Sequence, residues 1–135
     1  QAMAAGEVPV GAVIVSAAGD IIAGSENRMQ RDNDATAHAE ILAIRQAISV
    51  LGTSRLMGCD LWVTLEPCAM CAGAISHARI RRLYFAASDE KGGAVEHGPC
   101  LFSQPTIHHK PDLYGGISEA PAAQLLRTFF ATKRG

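Results

Sequence analysis

Leu61-Trp62-Val63-Thr64-Leu65-Glu66-Pro67-Cys68-Ala69-Met70-Cys71 runs from an apolar segment into a proline and a pair of thiols. It reads as a strand entering a helix. Pro67 suits a first helical turn, where its missing N–H goes unused. Cys68 and Cys71 stand three apart, which makes them neighbours on that turn. The helix N-terminus is the positive end of the peptide dipoles and favours thiolates. Two adjacent thiolates repel, and either a disulfide or a metal relieves the repulsion. Taken alone, the motif fits a thioredoxin-like redox centre as well as a zinc site.

The tie breaks upstream, in Thr36-Ala37-His38-Ala39-Glu40, which places a His and a Glu at the start of another helix. One imidazole and two thiolates make a three-ligand tetrahedral zinc site with its fourth position open to water, the catalytic pattern and not the structural one. The thiolates cancel the charge of the ion, so the water is acidified less than three neutral imidazoles would allow. Such a site needs a base beside it, and a carboxylate that is not a ligand supplies one. Residues two apart on a regular helix face different ways. His38 and Glu40 can therefore meet one metal only at a frayed first turn, with the longer Glu reaching round.

His38-Ala39-Glu40 and Pro67-Cys68-Ala69-Met70-Cys71 together match the H-x-E…P-C-x-x-C signature by which zinc nucleobase deaminases are known. The wider sequence resembles the bacterial tRNA-specific adenosine deaminase family. Gly6-Glu7-Val8-Pro9-Val10-Gly11-Ala12-Val13, Thr36 to Ile41, Val63 to Cys68, and Gly73-Ala74-Ile75 with Ala78-Arg79-Ile80 carry the resemblance, which runs from about Gly6 to Arg134. Ala35 departs from it, standing where the family often has Pro.

Composition fits one domain. The 135 residues are 48% hydrophobic and 19% charged, an ordinary globular balance. The four cysteines do not suggest a disulfide framework, and with Cys68 and Cys71 on zinc, Cys59 and Cys100 read as packed or free thiols of a reducing cytoplasm. A net charge of −1 argues against a general nucleic-acid binder, although a local patch is enough to grip one small RNA loop. No apolar run approaches the roughly 20 residues of a membrane span.

In chain order, Gln1 to Ala5 reads as the tail of a helix, one that is longer in the family. Val10 to Val15 and Ile21 to Gly24 form a hairpin across the turn Ala17-Ala18-Gly19-Asp20. A polar loop, Glu26 to Asp34, leads to a buried helix over Ala35 to Leu51, with Ile41, Ile44, Ile48 and Leu51 at helical spacing and Gly52 closing it. The strand Leu61 to Leu65, the Cys helix to about His77 and a strand at Leu83 to Ala86 follow. Mid-strand Trp62 reads as packing. Arg79, Arg81 and Arg82 are the densest basic cluster, equally readable as a solvated strand entrance or as phosphate contacts. Asp89 to Pro111 is a long Gly/Pro-punctuated loop of a length that is often functional. Ser118 caps a last helix in which Leu125 pairs with Phe129 and Leu126 with Phe130.

These elements give an α/β/α three-layer sandwich of the cytidine-deaminase type, a mixed sheet of about five strands covered on both faces. Both metal-bearing helices then start at the same side of the sheet. The resemblance implies hydrolytic deamination of adenosine to inosine at the wobble position of a tRNA anticodon loop. It implies zinc, one ion per chain, on His38, Cys68 and Cys71, with Glu40 as the proton carrier. It also implies substrate contacts from Asn27, Val10, the Ala39 backbone and Phe130. For RNA the candidates are Asp89, Lys91, Arg79, His108, His109 and Lys110. A homodimer in the cytoplasm is expected. The rival readings are a zinc deaminase of a free base or nucleoside, of guanine or cytosine type, and a non-catalytic structural zinc or redox module.

Overall fold

β-branched Val13, Ile14 and Val15 build the strand β1 (Gly11–Val15), which turns through Ser16–Asp20 into β2 (Ile21–Glu26). Gly19 takes φ 91° in that turn, a backbone state that favours glycine. Residues 10–116 are those that the computed structural model describes. After β2 come α1 (Ala39–Leu51), β3 (Asp60–Leu65), α2 (Ala69–Ala78), β4 (Arg82–Ala87), a 3-10 turn (Leu101–Ser103) and β5 (Asp112–Tyr114). The sheet order is β2-β1-β3-β4-β5. β1 runs antiparallel to β2 and to β3, while β3, β4 and β5 are parallel.

This topology decides where the site falls. β2 and β3 flank β1 and so point the same way. The helix that follows each of them starts at one common end of the sheet. The expectation that both metal-bearing helices begin side by side holds.

One face of the sheet carries Ala12, Ile14, Leu61, Val63, Leu83 and Phe85. These pack with Ala39, Ala43, Ile44 and Ala47 of α1 and with Ala72, Ile75 and Ala78 of α2 in a single core. Both described helices thus cover the same face. The third layer expected from the sequence falls outside the described residues, as do Ser118, Leu125, Leu126, Phe129 and Phe130. On the opposite face Trp62, Tyr84 and Tyr114 occupy paired register positions on β3, β4 and β5 and stack at centroid distances of 4.0 and 4.8 Å. Trp62 is packing, as expected.

Two boundaries move by more than one residue, and one strand is added. The first helix starts at Ala39, not Ala35, because Asp34 accepts from the Thr36 N–H and hydroxyl and folds residues 34–37 into a turn. β2 continues to Glu26, two residues beyond the expected Gly24. β5 emerges from the stretch after Pro111, which carries no strand pattern of its own, by pairing with β4 from Arg82↔Asp112 to Tyr84↔Tyr114. Gly52 closes α1 as expected, with φ 69° and its N–H on the Ile48 carbonyl.

Candidate metal centre and base pocket

His38 and Cys68 are both N-cap residues, at φ −75°, ψ 151° and φ −74°, ψ 176°. Each has extended backbone while its carbonyl takes the first helical bond, from Leu42 N–H and from Ala72 N–H. The extended cap frees His38 from helical spacing. Its imidazole and the Glu40 carboxylate can therefore serve one site without a frayed turn. Cys71, one turn into α2, is buried.

His38 Nδ1 lies 3.7 Å from Cys68 Sγ and 3.6 Å from Cys71 Sγ. A tetrahedral zinc with Zn–N of about 2.0 Å and Zn–S of about 2.3 Å puts nitrogen and sulfur about 3.5 Å apart. The donor set fits zinc in chemistry and in spacing. Among the described residues these three form the one His/Cys/Asp/Glu group of that kind, with ligand atoms within 4.8 Å of one another, so no fourth protein ligand among them closes the site. Cys59 and Cys100 are not part of it, and all four cysteines are free thiols.

The hydrogen bond with Cys71, together with the neighbouring His38 charge, holds Cys68 down to about 5. The same shared proton, with burial, holds Cys71 far up. Two thiols contending for one proton is the state that a dication relieves. Glu40 is 4% exposed, and burial pushes its carboxyl up to about 7 against the pull of its own backbone N–H.

Val10, Asn27, Met29, His38, Glu40 and Cys68 line a cavity of about 250 Å³ together with Leu65, Glu66, Asp89 and Gly92. That is under the range of drug-sized pockets and suits a single base. Asn27 is buried, and its Oδ1 accepts the Ala39 N–H at 2.7 Å. The bond caps α1 and engages the N–H of the Ala39 backbone, itself expected to meet a substrate. What remains for a ligand is the Asn27 amide NH₂.

The sequence-derived set thus divides. His38, Cys68, Glu40, Asn27, Val10 and Asp89 line one cavity, and Cys71 joins His38 and Cys68 in the ligand group beside it. Lys91 is exposed beside it, its N–H turned back to Asp89 Oδ1. Arg79, His109 and Lys110 instead line a second cleft, of about 530 Å³, with Arg55, Arg81 and Asp112. That cleft opens where β3, β4 and β5 begin, and the metal ligands follow the far end of β3, roughly 16 Å along a strand of this length. His108 belongs there too, its carbonyl accepting from Arg79 at 2.8 Å. Arg81 is spoken for by both Asp60 oxygens at 3.0 Å. Phe130 lies outside the described residues.

Glu66 stands in the sequence as one letter of the Cys motif, with no role of its own. In the fold it is 3% exposed and lines the cavity. Burial works to raise its pKa, but the His97 imidazole and the N–H groups of Asp89, Glu96 and Val95 overcome that and hold it at about 2. The signal that could have found it is a carboxylate lodged between a buried strand and a ligating Pro-Cys turn.

Residues 1–87 match the cytidine and deoxycytidylate deaminase zinc-binding region. The chain is 61% identical to the tRNA-specific adenosine deaminase of Agrobacterium fabrum, over 95% of this chain and 84% of that one. A solved structure from a study of A-to-I editing by tRNA A34 deaminases at the wobble position of transfer RNA is 62% identical. It superposes with a TM-score of 0.81 over 85% of this chain and 90% of its own. A guanine deaminase from Nitrosomonas europaea shares the fold more distantly, at 28% identity and TM-score 0.69 over 96% and 77% of the two chains. Caps, ligands and relatives agree, and the chain belongs to the tRNA-specific adenosine deaminases of the cytidine and deoxycytidylate deaminase zinc-binding family.

Proposed function

We propose that this chain deaminates adenosine to inosine by hydrolysis at the wobble position of a tRNA anticodon loop. The observation that carries this reading is a buried carboxylate, Glu40, sharing a base-sized cavity with a three-ligand zinc set that has no fourth protein ligand among the described residues. One zinc ion per chain, held by His38, Cys68 and Cys71, would supply a Lewis acid that eases the loss of a proton from water to the neighbouring base. Glu40 takes that proton as the water oxygen attacks C6 of the adenine. It passes the proton to N1. It then carries the second proton to the departing amine, so that adenosine and water become inosine and ammonia. The Asn27 amide donates to the base and Val10 packs against it, with Phe130 expected over its other face.

Loops are favoured over duplexes because their bases splay out at modest cost. Asp89, which lines the cavity, and Lys91, exposed two residues on, would contact the strand that carries the target. Arg79, His108, His109 and Lys110 can touch the same RNA only where it extends past the sheet to the opposite end, or across a homodimer. We infer a cytoplasmic homodimer, supported by the family resemblance. Within the described residues no helix is long and apolar enough to cross a membrane.

Incubating the zinc-loaded protein with a panel of anticodon stem-loops and with free guanine tests the reading. Inosine is expected at the wobble position and no xanthine. Xanthine formation with inert stem-loops would put the free-base deaminases, structurally similar at 28% identity, in its place.

A further inference from the structure

Asp89 and Gly92, two of the residues that line the base pocket, belong to the segment 89–97, which contains no helix or strand. Their conformation depends on one buried side chain. Glu66 Oε2 accepts N–H bonds from Val95 at 3.0 Å, Glu96 at 2.9 Å and His97 at 3.2 Å. Glu66 Oε1 accepts from Asp89 N–H at 3.1 Å and from His97 Nδ1 at 2.8 Å. A carboxylate that satisfies backbone donors from both ends of one loop plays the part a strand ladder plays elsewhere. Beside it, the Ala94 N–H donates to the Pro67 carbonyl at 2.9 Å. The turn that delivers Cys68 to the metal is therefore also the post on which the loop is wound.

Gly93 shows how closely the loop is drawn in. A Cβ there would stand 2.5 Å from Glu66 Cδ and Oε2 and 2.5 Å from the Asp89 carbonyl. Any other residue would push the loop off its anchor. Asp89 and Gly92, which the loop presents to the cavity, sit on the wall held in this way.

We propose that Glu66 is a positioning residue for substrate, a buried anchor that sets the pocket wall through Asp89 and Gly92 without touching the reacting atoms. The proposal rests on the adenosine deaminase reading for the identity of the substrate but not for the existence of the anchor. Glu40 and the three ligands sit on α1, α2 and their caps, not on the loop. Loosening the loop therefore weakens substrate capture and leaves the chemistry of captured substrate in place.

The test compares Glu66→Gln, Gly93→Ala and the milder His97→Ala in the zinc-loaded protein. The readouts are zinc content, steady-state kinetics on an anticodon stem-loop, and amide hydrogen exchange. Glu66→Gln and Gly93→Ala are expected to raise KM roughly tenfold or more, with kcat within about threefold of the parent and zinc unchanged. The amides of Asp89, Val95, Glu96 and His97 should exchange at least tenfold faster while β3 keeps its protection. His97→Ala, which removes one of the five bonds, should shift both readouts in the same direction by about threefold. Should Glu66→Gln fail to fold, that graded variant decides alone. Unchanged KM and unchanged loop protection would overturn the proposal. So would a fall in kcat and zinc together at constant KM, which would make Glu66 a prop of the metal turn. If the parent protein leaves every stem-loop untouched, the substrate reading fails, and the exchange measurement still judges the anchor.

Discussion

His38 and Cys68 hold equivalent stations in two different helices. Each is the extended residue before the first turn, and Nδ1 of one lies 3.7 Å from Sγ of the other. Because β2 and β3 run in the same direction with β1 between them, two separate strand-to-helix turns bring their caps to one point. The dipoles of both helices then aim their positive ends at the site, which favours the thiolate of Cys68 and any anion formed beside it. Glu40, one residue inside α1, sits in the same field.

Removing the metal should therefore loosen the junction of the two helix starts as well as abolish turnover. At zinc a thousandfold above its dissociation constant the linkage stabilises the fold by about 4 kcal/mol. For a chain of 135 residues that corresponds to about 14 °C in Tm. Thermal melts before and after chelation, and after zinc is added back, measure the shift. A Tm that ignores chelation while activity disappears would mean that the unfolded chain holds zinc as tightly as the folded one, and the linkage would vanish.

Glu40→Gln keeps the shape of the side chain and removes its capacity to accept a proton. Because Glu40 is not a ligand, zinc content should stay at the parent level while kcat falls by roughly 10²- to 10⁴-fold. Metal analysis alongside single-turnover kinetics on a stem-loop reads both. A fully active variant would strip Glu40 of its role, and loss of zinc would recast it as a support for His38.

The parts of the site legible in the sequence are those whose chemistry is local. Cys68 and Cys71 declare themselves by spacing, and His38 and Glu40 by kind. The helix start at Ala39 is harder to read, since Asp34 competes for the Thr36 N–H and ends the turn only once both side chains are placed. β5 has three residues and no alternation of its own, and becomes a strand by pairing with β4. Glu66 looks like a surface carboxylate until residues 89–97 close over it. Its partners lie 23 to 31 positions along the chain, beyond any periodic signal. His108, His109 and Lys110 are consecutive, but Arg79 stands 29 residues before His108, and sequence says neither that they meet nor at which end of the sheet. That depends on the direction of β4 and β5.

Asn27→Ala should cost stability and binding together. Asn27 Oδ1 is the acceptor for the buried Ala39 N–H at 2.7 Å, and truncation leaves that donor without its partner at the first residue of α1. An orphaned buried donor costs about 1–3 kcal/mol. The same truncation removes the amide NH₂ that the cap leaves over, so on the proposed reading KM on a stem-loop should rise as well. Asn27→Asp keeps the acceptor and should melt closer to the parent, yet it puts a second carboxylate into the cavity that holds Glu40. Denaturation midpoints and KM for the two variants separate the cap from the contact. Equal stability losses would deny the cap.

His97 gives the loop a pH dependence whose sign can be worked out. The hydrogen bond to Glu66 raises its pKa, partial burial opposes the shift, and Glu66, Glu90 and Glu96 add their charges in the raising direction. A base whose folded pKa lies above its unfolded value stabilises the fold fully below that unfolded value, near 6.5. It loses the contribution as pH climbs through the higher folded value. Glu66, held at about 2, stays ionised across this window, so the titration belongs to the imidazole. His97→Gln cannot gain the charge. The parent should therefore exceed it in stability by more at pH 6 than at pH 9, with the gap closing as pH rises. Urea midpoints for both proteins at the two pH values measure the gap. A difference independent of pH would mean that His97 holds Glu66 as a neutral donor throughout, and the loop would then have no proton-linked component from this pair.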